Sequence, residues 1–151
     1  MIFKHNKLSN LEFSINLPAP TEKLFELVTN FEKYPEYLET SIKNVKILEK
    51  KDSETITEEI LLFRTLFDHE IVQKSKHVVI EDNKLHSEII FGPFKGTTVN
   101  VFFEKTDSGT KVKVNVDYKI ALKYKILSPI IKQKYKIIIT GFLYKMNAKL
   151  I

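Results

Sequence analysis

The chain of 151 residues has no cysteine and no tryptophan, only four glycines, and a single arginine among 24 basic residues. The absence of cysteine excludes a disulfide framework, thiolate metal ligation and a cysteine nucleophile, and it fits a cytoplasmic setting. Gly92, Gly96, Gly109 and Gly141 are too scattered to cradle a phosphate, and no Gly-x-Ser-x-Gly elbow occurs. Long apolar runs are missing as well: IIITGFLY at 137–144 falls far short of a bilayer span. The opening MIFKHNKLSNLEF is broken by Lys4, His5 and Lys7, so no secretory leader is expected. The expectation is a soluble, cytoplasmic protein forming one domain over residues 1–151, large enough to bury a core without cross-links.

Acidic residues are missing from one end only. None follows Asp117, whereas eight lysines do, so that segment carries +8 and residues 1–117 carry −3 of the net +5. A basic amphipathic end on a mildly acidic body suits an anionic partner. Lys123, Lys125, Lys132, Lys134 and Lys136 are the candidate surface, for a membrane (with peripheral attachment at its inner face) or for a ribosome or RNA. A solvated helix face explains the same lysines equally simply. No DNA partner is expected.

What the chain does have is period. LEFSINL (11–17) alternates apolar and polar residues as a half-buried strand does. After Pro18 and Pro20, Leu24, Leu27, Val28 and Phe31 fall at helical spacing. Pro35 breaks that helix near Lys33–Tyr34 and starts a second short turn. From Ile42 the period is two: IKNVKIL, TITEEILLF, HEIVQKSKHVVI, LHSEIIF, GTTVNVFFEK and TKVKVNVDYKI read as six strands separated by turn signals. Leu127, Ile131, Tyr135, Ile138, Phe142 and Met146 then mark a long helix, with Ser128-Pro129 as its N-cap and first turn. An earlier start near Leu122 is the alternative. Gly141, inside this helix, calls for either close packing or space left for a ligand. Sequential hairpins make an antiparallel sheet, whose apolar face the long helix must cover. The fold class is therefore α+β, with a seven-stranded curved sheet around a C-terminal helix and two short helices between strands 1 and 2.

Catalytic signals are weak. His5, His69, His77 and His86 show no metal-ligand spacing, and His69 and His77 lie roughly 26 Å apart on an extended strand. Each is expected at the surface or a strand edge. Glu58 and Glu59 point to opposite faces of a strand, so they form no dyad, though one of them can point inward. Arg64, in LLFRTLF, suits a carboxylate or polar ligand head, or simply a strand end. Neither a metal nor a cofactor is expected, and no catalytic residue is assigned.

LPAPTEKLFELVTNFEKYPEYLETSIKNVKILEK resembles the opening strand, paired helices and second strand of the START/polyketide-cyclase (SRPBCC) superfamily, whose fold is the helix-grip. FGPFKG is similar to the Gly-Pro-Phe-basic step of the branch holding coenzyme Q-binding START-domain proteins and the bacterial ribosome-association toxin. That branch tends to place a tryptophan downstream, where this chain has Val101, Phe102 and Phe103. The resemblance implies an apolar cavity between sheet and helix, and non-enzymatic binding or transport of an isoprenoid quinone or other lipid. Ribosome or RNA interaction, or a cyclase- or lyase-like activity on a hydrophobic substrate, are the alternatives. Its walls are expected from Phe91, Val101, Phe103, Val116 and Tyr118 on strands and Tyr135, Ile138 and Phe142 on the helix. Phe31, Tyr34, Tyr37 and Leu38 close one end and Phe94 stands near the mouth, with Arg64 available to a polar head. Ordinary core packing accounts for the same residues without a ligand.

Overall fold

The computed structural model describes residues 10–62 and 69–151, so His5, Arg64 and Asp68 lie outside the described residues. The alternating segments form β1 (Asn10–Leu17), β2 (Ile42–Lys51), β3 (Glu54–Leu61), β4 (Ile71–Ile80), β5 (Lys84–Phe91), β6 (Thr98–Thr106) and β7 (Gly109–Asp117). Between β1 and β2 come α1 (Thr21–Val28), a 3-10 turn at Phe31–Lys33 and α2 (Tyr34–Tyr37). A second 3-10 turn, Leu122–Leu127, leads into the long α3 (Ser128–Ala148). The strands build one sheet in the order β1-β7-β6-β5-β4-β3-β2, every neighbouring pair antiparallel.

Register carries the alternation across the sheet. Leu11, Phe13 and Ile15 oppose Val116, Val114 and Val112, which in turn oppose Val99, Val101 and Phe103. One continuous apolar face results, and α3 covers it with Ile131, Phe142, Leu143 and Met146. The far end of α3 is tied down by Asn147, whose Oδ1 accepts the Ala19 N–H at 3.0 Å. At the β6–β7 hairpin Gly109 has φ 148°, and a Cβ there would stand 2.2 Å from the Leu17 carbonyl oxygen. Only glycine lets the two backbones approach that closely.

Three irregularities in pairing bend the sheet around the helix: two in β2, at Ile42/Asn44 and Ile47/Glu49, and one between β4 and β5. The last corrects an expectation. Strict alternation places Phe91 inward with Leu85, Ser87 and Ile89, but the bulge leaves Ile90 without a partner and sets Phe91 opposite Lys74. Phe91 therefore turns outward, 52% exposed, with the Lys74 ammonium 5.3 Å from its ring. Ser128 is likewise not an N-cap. The 3-10 turn runs straight into α3, and the Ser128 hydroxyl instead meets Tyr118 Oη at 3.1 Å. Gly141 is not a close-packing glycine, since a Cβ added there meets nothing within 4 Å.

Candidate functional site

Between sheet and α3 lies a cavity of about 190 Å³. The cap over one end comes from the proline-broken segment. Tyr34 donates its hydroxyl to the Val28 carbonyl at 2.6 Å, which holds its ring against Phe142 with centroids 4.6 Å apart. Phe31 and Tyr37 are buried beside it, Tyr37 edge-on to Phe142 at 5.5 Å. At the other end Phe94, set by the Gly92–Pro93 turn, is buried and lies edge-on to Tyr135 at 6.0 Å.

Of the residues expected from sequence, Tyr34, Leu38, Phe94, Val101, Tyr135, Ile138 and Phe142 line this cavity. Phe31, Tyr37, Phe103, Val116 and Tyr118 are buried in the surrounding core without lining it, and Phe91 faces solvent. Burial raises the Tyr34 and Tyr135 hydroxyls above the ordinary phenol range, so both are neutral donors at any ordinary pH.

One wall is polar. Thr57 and Glu59 on β3, Gln73, Ser75 and His77 on β4, and Ser87 on β5 all face inward. Register makes them neighbours: Thr57 opposes Ser75, Glu59 opposes Gln73, and His77 opposes Ser87. Glu59 accepts hydrogen bonds from the Thr57 hydroxyl, from Gln73 Nε2 at 3.0 Å and from Ser75 Oγ at 2.8 Å. His77 Nε2 lies 2.9 Å from Thr57 Oγ1, and its Nδ1 lies 2.7 Å from Ser87 Oγ. Since the Thr57 hydrogen goes to Glu59, His77 donates from Nε2 and accepts from Ser87 at Nδ1. The chain of donors thus runs one way, from Ser87 through His77 and Thr57 to Glu59. The Phe31 ring stacks on the imidazole at 4.0 Å.

Burial sets the charges in this wall. It pushes the Glu59 carboxyl above the usual range, against the three hydrogen bonds that pull it down. It pushes His77 down to about 4, so the imidazole is neutral near pH 7. His77 also corrects the expectation that each histidine sits at a surface or strand edge, because it is buried at the centre of the sheet's inner face. Sequence reasoning reached this wall only through the expectation that Glu58 or Glu59 points inward, and Glu59 does; Thr57, Gln73, Ser75, His77 and Ser87 were given no role in it. In TITEEIL the frame of Thr55, Thr57, Glu59 and Leu61 faces in, but the rival frame holds Ile56 and Ile60, so alternation did not mark it. Among the described residues no group of three or more acidic or histidine side chains is placed to hold a metal ion.

A curved antiparallel sheet gripping a C-terminal helix around an apolar cavity is the helix-grip architecture of the START/SRPBCC superfamily. Residues 17–144 match the family described as polyketide cyclase/dehydrase and lipid transport, and the chain belongs to that family. The superfamily is associated with binding apolar small molecules and with polyketide cyclase activity. No curated protein sequence matches the chain. Among solved structures, the Zhui aromatase/cyclase from Streptomyces sp. R1128 is 10% identical, with TM-score 0.79 over 93% of this chain and 92% of its own. A START superfamily protein from Mycobacterium smegmatis is 15% identical, with TM-score 0.77 over 93% and 96%. Ginseng major latex-like protein 151 from Panax ginseng is 14% identical, with TM-score 0.71 over 94% and 97%. At such identities the likeness is one of fold.

Proposed function

We propose that the chain binds an apolar small molecule, a quinone-type isoprenoid or another lipid, inside this cavity and carries it without altering it. The observation that carries this reading is the cavity itself, whose lining is apolar outside the polar wall of β3–β5 and which is capped by Tyr34 and Tyr37 against Phe142. Pockets for drug-sized ligands usually measure roughly 300–1,000 Å³, so about 190 Å³ encloses a ring or a short chain and no more. A longer tail would have to leave the cavity, and the neighbouring groove is the route we assign to it. A groove lined by Thr40, Leu62, Lys134, Ile137, Gly141 and Lys145 shares Leu38, Ser41 and Ile138 with the cavity.

Peripheral attachment to an anionic membrane surface completes the proposal. Leu122 and Ile126 are 83% and 89% exposed, Ile130 is about half exposed, and Lys123 and Lys125 stand among them. Aliphatic side chains held in water beside lysines suit a lipid interface, where each lysine contributes about 1 kcal/mol. RNA would use the lysines but leave the aliphatics exposed, so the membrane is the better match. No helix among the described residues is long and apolar enough to cross a membrane.

Native mass spectrometry of the purified protein, with solvent extraction of any passenger, tests the carrier reading. A stoichiometric apolar passenger is the expected result; an apo mass unchanged by added lipid or quinone overturns it. For the surface, Leu122→Ser with Ile126→Ser is expected to lower binding to phosphatidylserine vesicles at least tenfold while leaving the melting temperature unchanged. Strong, salt-sensitive RNA binding without vesicle binding would favour the ribosome-type reading instead.

A cyclase- or lyase-like activity has one observation in its favour: a buried carboxyl shifted up and a buried imidazole shifted down, joined through Thr57. Burial favours the neutral form of both groups, a carboxyl that can give a proton and an imidazole that can take one. A candidate hydrophobic substrate recovered with altered mass would establish that reading over the carrier.

A further inference from the structure

Resting on the cavity reading above, we propose that the polar wall of β3–β5 selects ligands carrying an uncharged hydrogen-bond donor, a phenol or alcohol hydroxyl, on an otherwise apolar body. Gln73 Oε1 is buried in this wall and has no hydrogen-bond partner among the described residues. A buried carbonyl oxygen left in that state is costly, and only a donor relieves it. Rotating the amide does not help. Nε2 is held by Glu59 Oε1 at 3.0 Å, and exchanging the two ends would set carbonyl oxygen against carboxylate oxygen.

The neighbouring polar groups are already engaged. Ser75 and Thr57 give their hydrogens to Glu59, and His77 uses both ring nitrogens on Thr57 and Ser87. Gln73 Oε1 is therefore the polar atom of this wall with the most to gain from a donor on an incoming molecule. Charge narrows the class further. A carboxylate or phosphate head would be set beside the Glu59 carboxyl, with no lysine or arginine among the described residues that line the cavity. An ammonium head would lose its hydration in a cavity that is otherwise apolar, facing a Glu59 whose oxygens already hold three donors. A hydroxyl meets the requirement at no such cost. For a quinone-type ligand the consequence is specific: the quinone has no donor to give Gln73 Oε1, whereas its reduced quinol presents hydroxyl donors, so this wall favours the quinol.

The test uses the full chain and three probes of one shape: 2-naphthol, its methyl ether 2-methoxynaphthalene, and 2-naphthoate, with affinities from calorimetry. Wild-type protein is expected to bind naphthol at least tenfold more tightly than the ether, and naphthoate not measurably. In Gln73→Leu the preference for naphthol over the ether falls to within twofold. Because Gln73 also supports Glu59, a second readout works on wild-type protein alone: the Gln73 side-chain carbonyl carbon shifts in NMR with naphthol and not with the ether. Equal wild-type affinity for naphthol and ether, or a tenfold preference that survives in Gln73→Leu, overturns the proposal while leaving the cavity reading intact. Failure of both neutral probes to bind overturns the two together.

Discussion

Strands β6–β7 and strands β3–β4 follow the same two-residue period and face the same helix, yet their inward residues are opposite in chemistry. Across β6–β7 the inward pairs are Val99 with Val116, Val101 with Val114 and Phe103 with Val112. Across β3–β4 they are Thr55 with His77, Thr57 with Ser75 and Glu59 with Gln73, and only Leu61 with Ile71 is apolar. The first half is held by removal of hydrocarbon from water. The second is held by reciprocal hydrogen bonds, in which every lost partner leaves another polar group stranded. A cavity bounded by one half of each kind has a grip and an orientation: hydrocarbon can lie against β6, and one polar atom points toward β4.

The largest expected effect lies in the apolar half. Phe103 is fully buried and packs edge-on against Phe25 with centroids 5.6 Å apart. Phe103→Ala should cost about 3–5 kcal/mol, from lost burial and an unfilled cavity. Urea unfolding measures it, and a loss under 1 kcal/mol would mean that this half is not the anchor described.

The polar half should instead reveal itself through pH. His77 is pushed from 6.5 down to about 4 by burial, so the unfolded chain takes up its proton first as pH falls. The histidine's contribution is therefore complete above pH 6.5 and is lost as pH drops through about 4, on the order of 3 kcal/mol in all. Glu59 works in the other direction. Its folded carboxyl is raised, so its contribution is fullest below 4.5 and declines as pH rises through the folded value. His77→Gln removes only the first term. The stability difference between wild type and variant should thus shrink steadily from pH 7 to pH 4, and a difference independent of pH would show that the imidazole is not buried and neutral.

An isosteric exchange compares the halves directly. Thr57→Val keeps the shape, favours a strand, and removes the donor to Glu59 together with the acceptor for His77. The expected loss is about 1–3 kcal/mol, despite the gain in strand propensity. Val112→Thr in the apolar half should cost a similar amount for the reverse reason, a hydroxyl buried without a partner. If Thr57→Val were neutral, the polar wall would be a coincidence of register rather than a network.

The same contrast explains what could be read from the sequence. In β7 the polar frame Lys111, Lys113, Asn115 against the apolar frame Val112, Val114, Val116 assigns the faces without ambiguity, and the antiparallel order followed from the run of sequential hairpins. The cap residues Tyr34 and Leu38 were legible because Pro35 leaves few places for the chain to go. In β3 and β4 alternation marks no apolar face: Ile56 and Ile60 point outward while Thr57 and Glu59 point in, so polarity alone could not reveal which frame was buried. Phe91 escaped for a different reason. One unpaired residue in β5 reverses parity: Gly92-Pro93 signalled a strand stop or a bulge at this end, but nothing in LHSEIIF says that it falls before Phe91.

Gly141 carries the smallest effect and separates two reasons for a glycine in a helix. Close packing would forbid a side chain, yet a Cβ here meets nothing within 4 Å, because the residue faces the groove rather than the sheet. Gly141→Ala should therefore stabilise α3 by about 1 kcal/mol, roughly 2–4 °C in melting temperature for a chain of this size. A fall in melting temperature would restore the packing explanation. If the rise is seen, the helix has forgone that stability for room in the groove. Gly141→Leu should then weaken binding of a long-chain ligand while leaving 2-naphthol, which needs only the cavity, at its wild-type affinity.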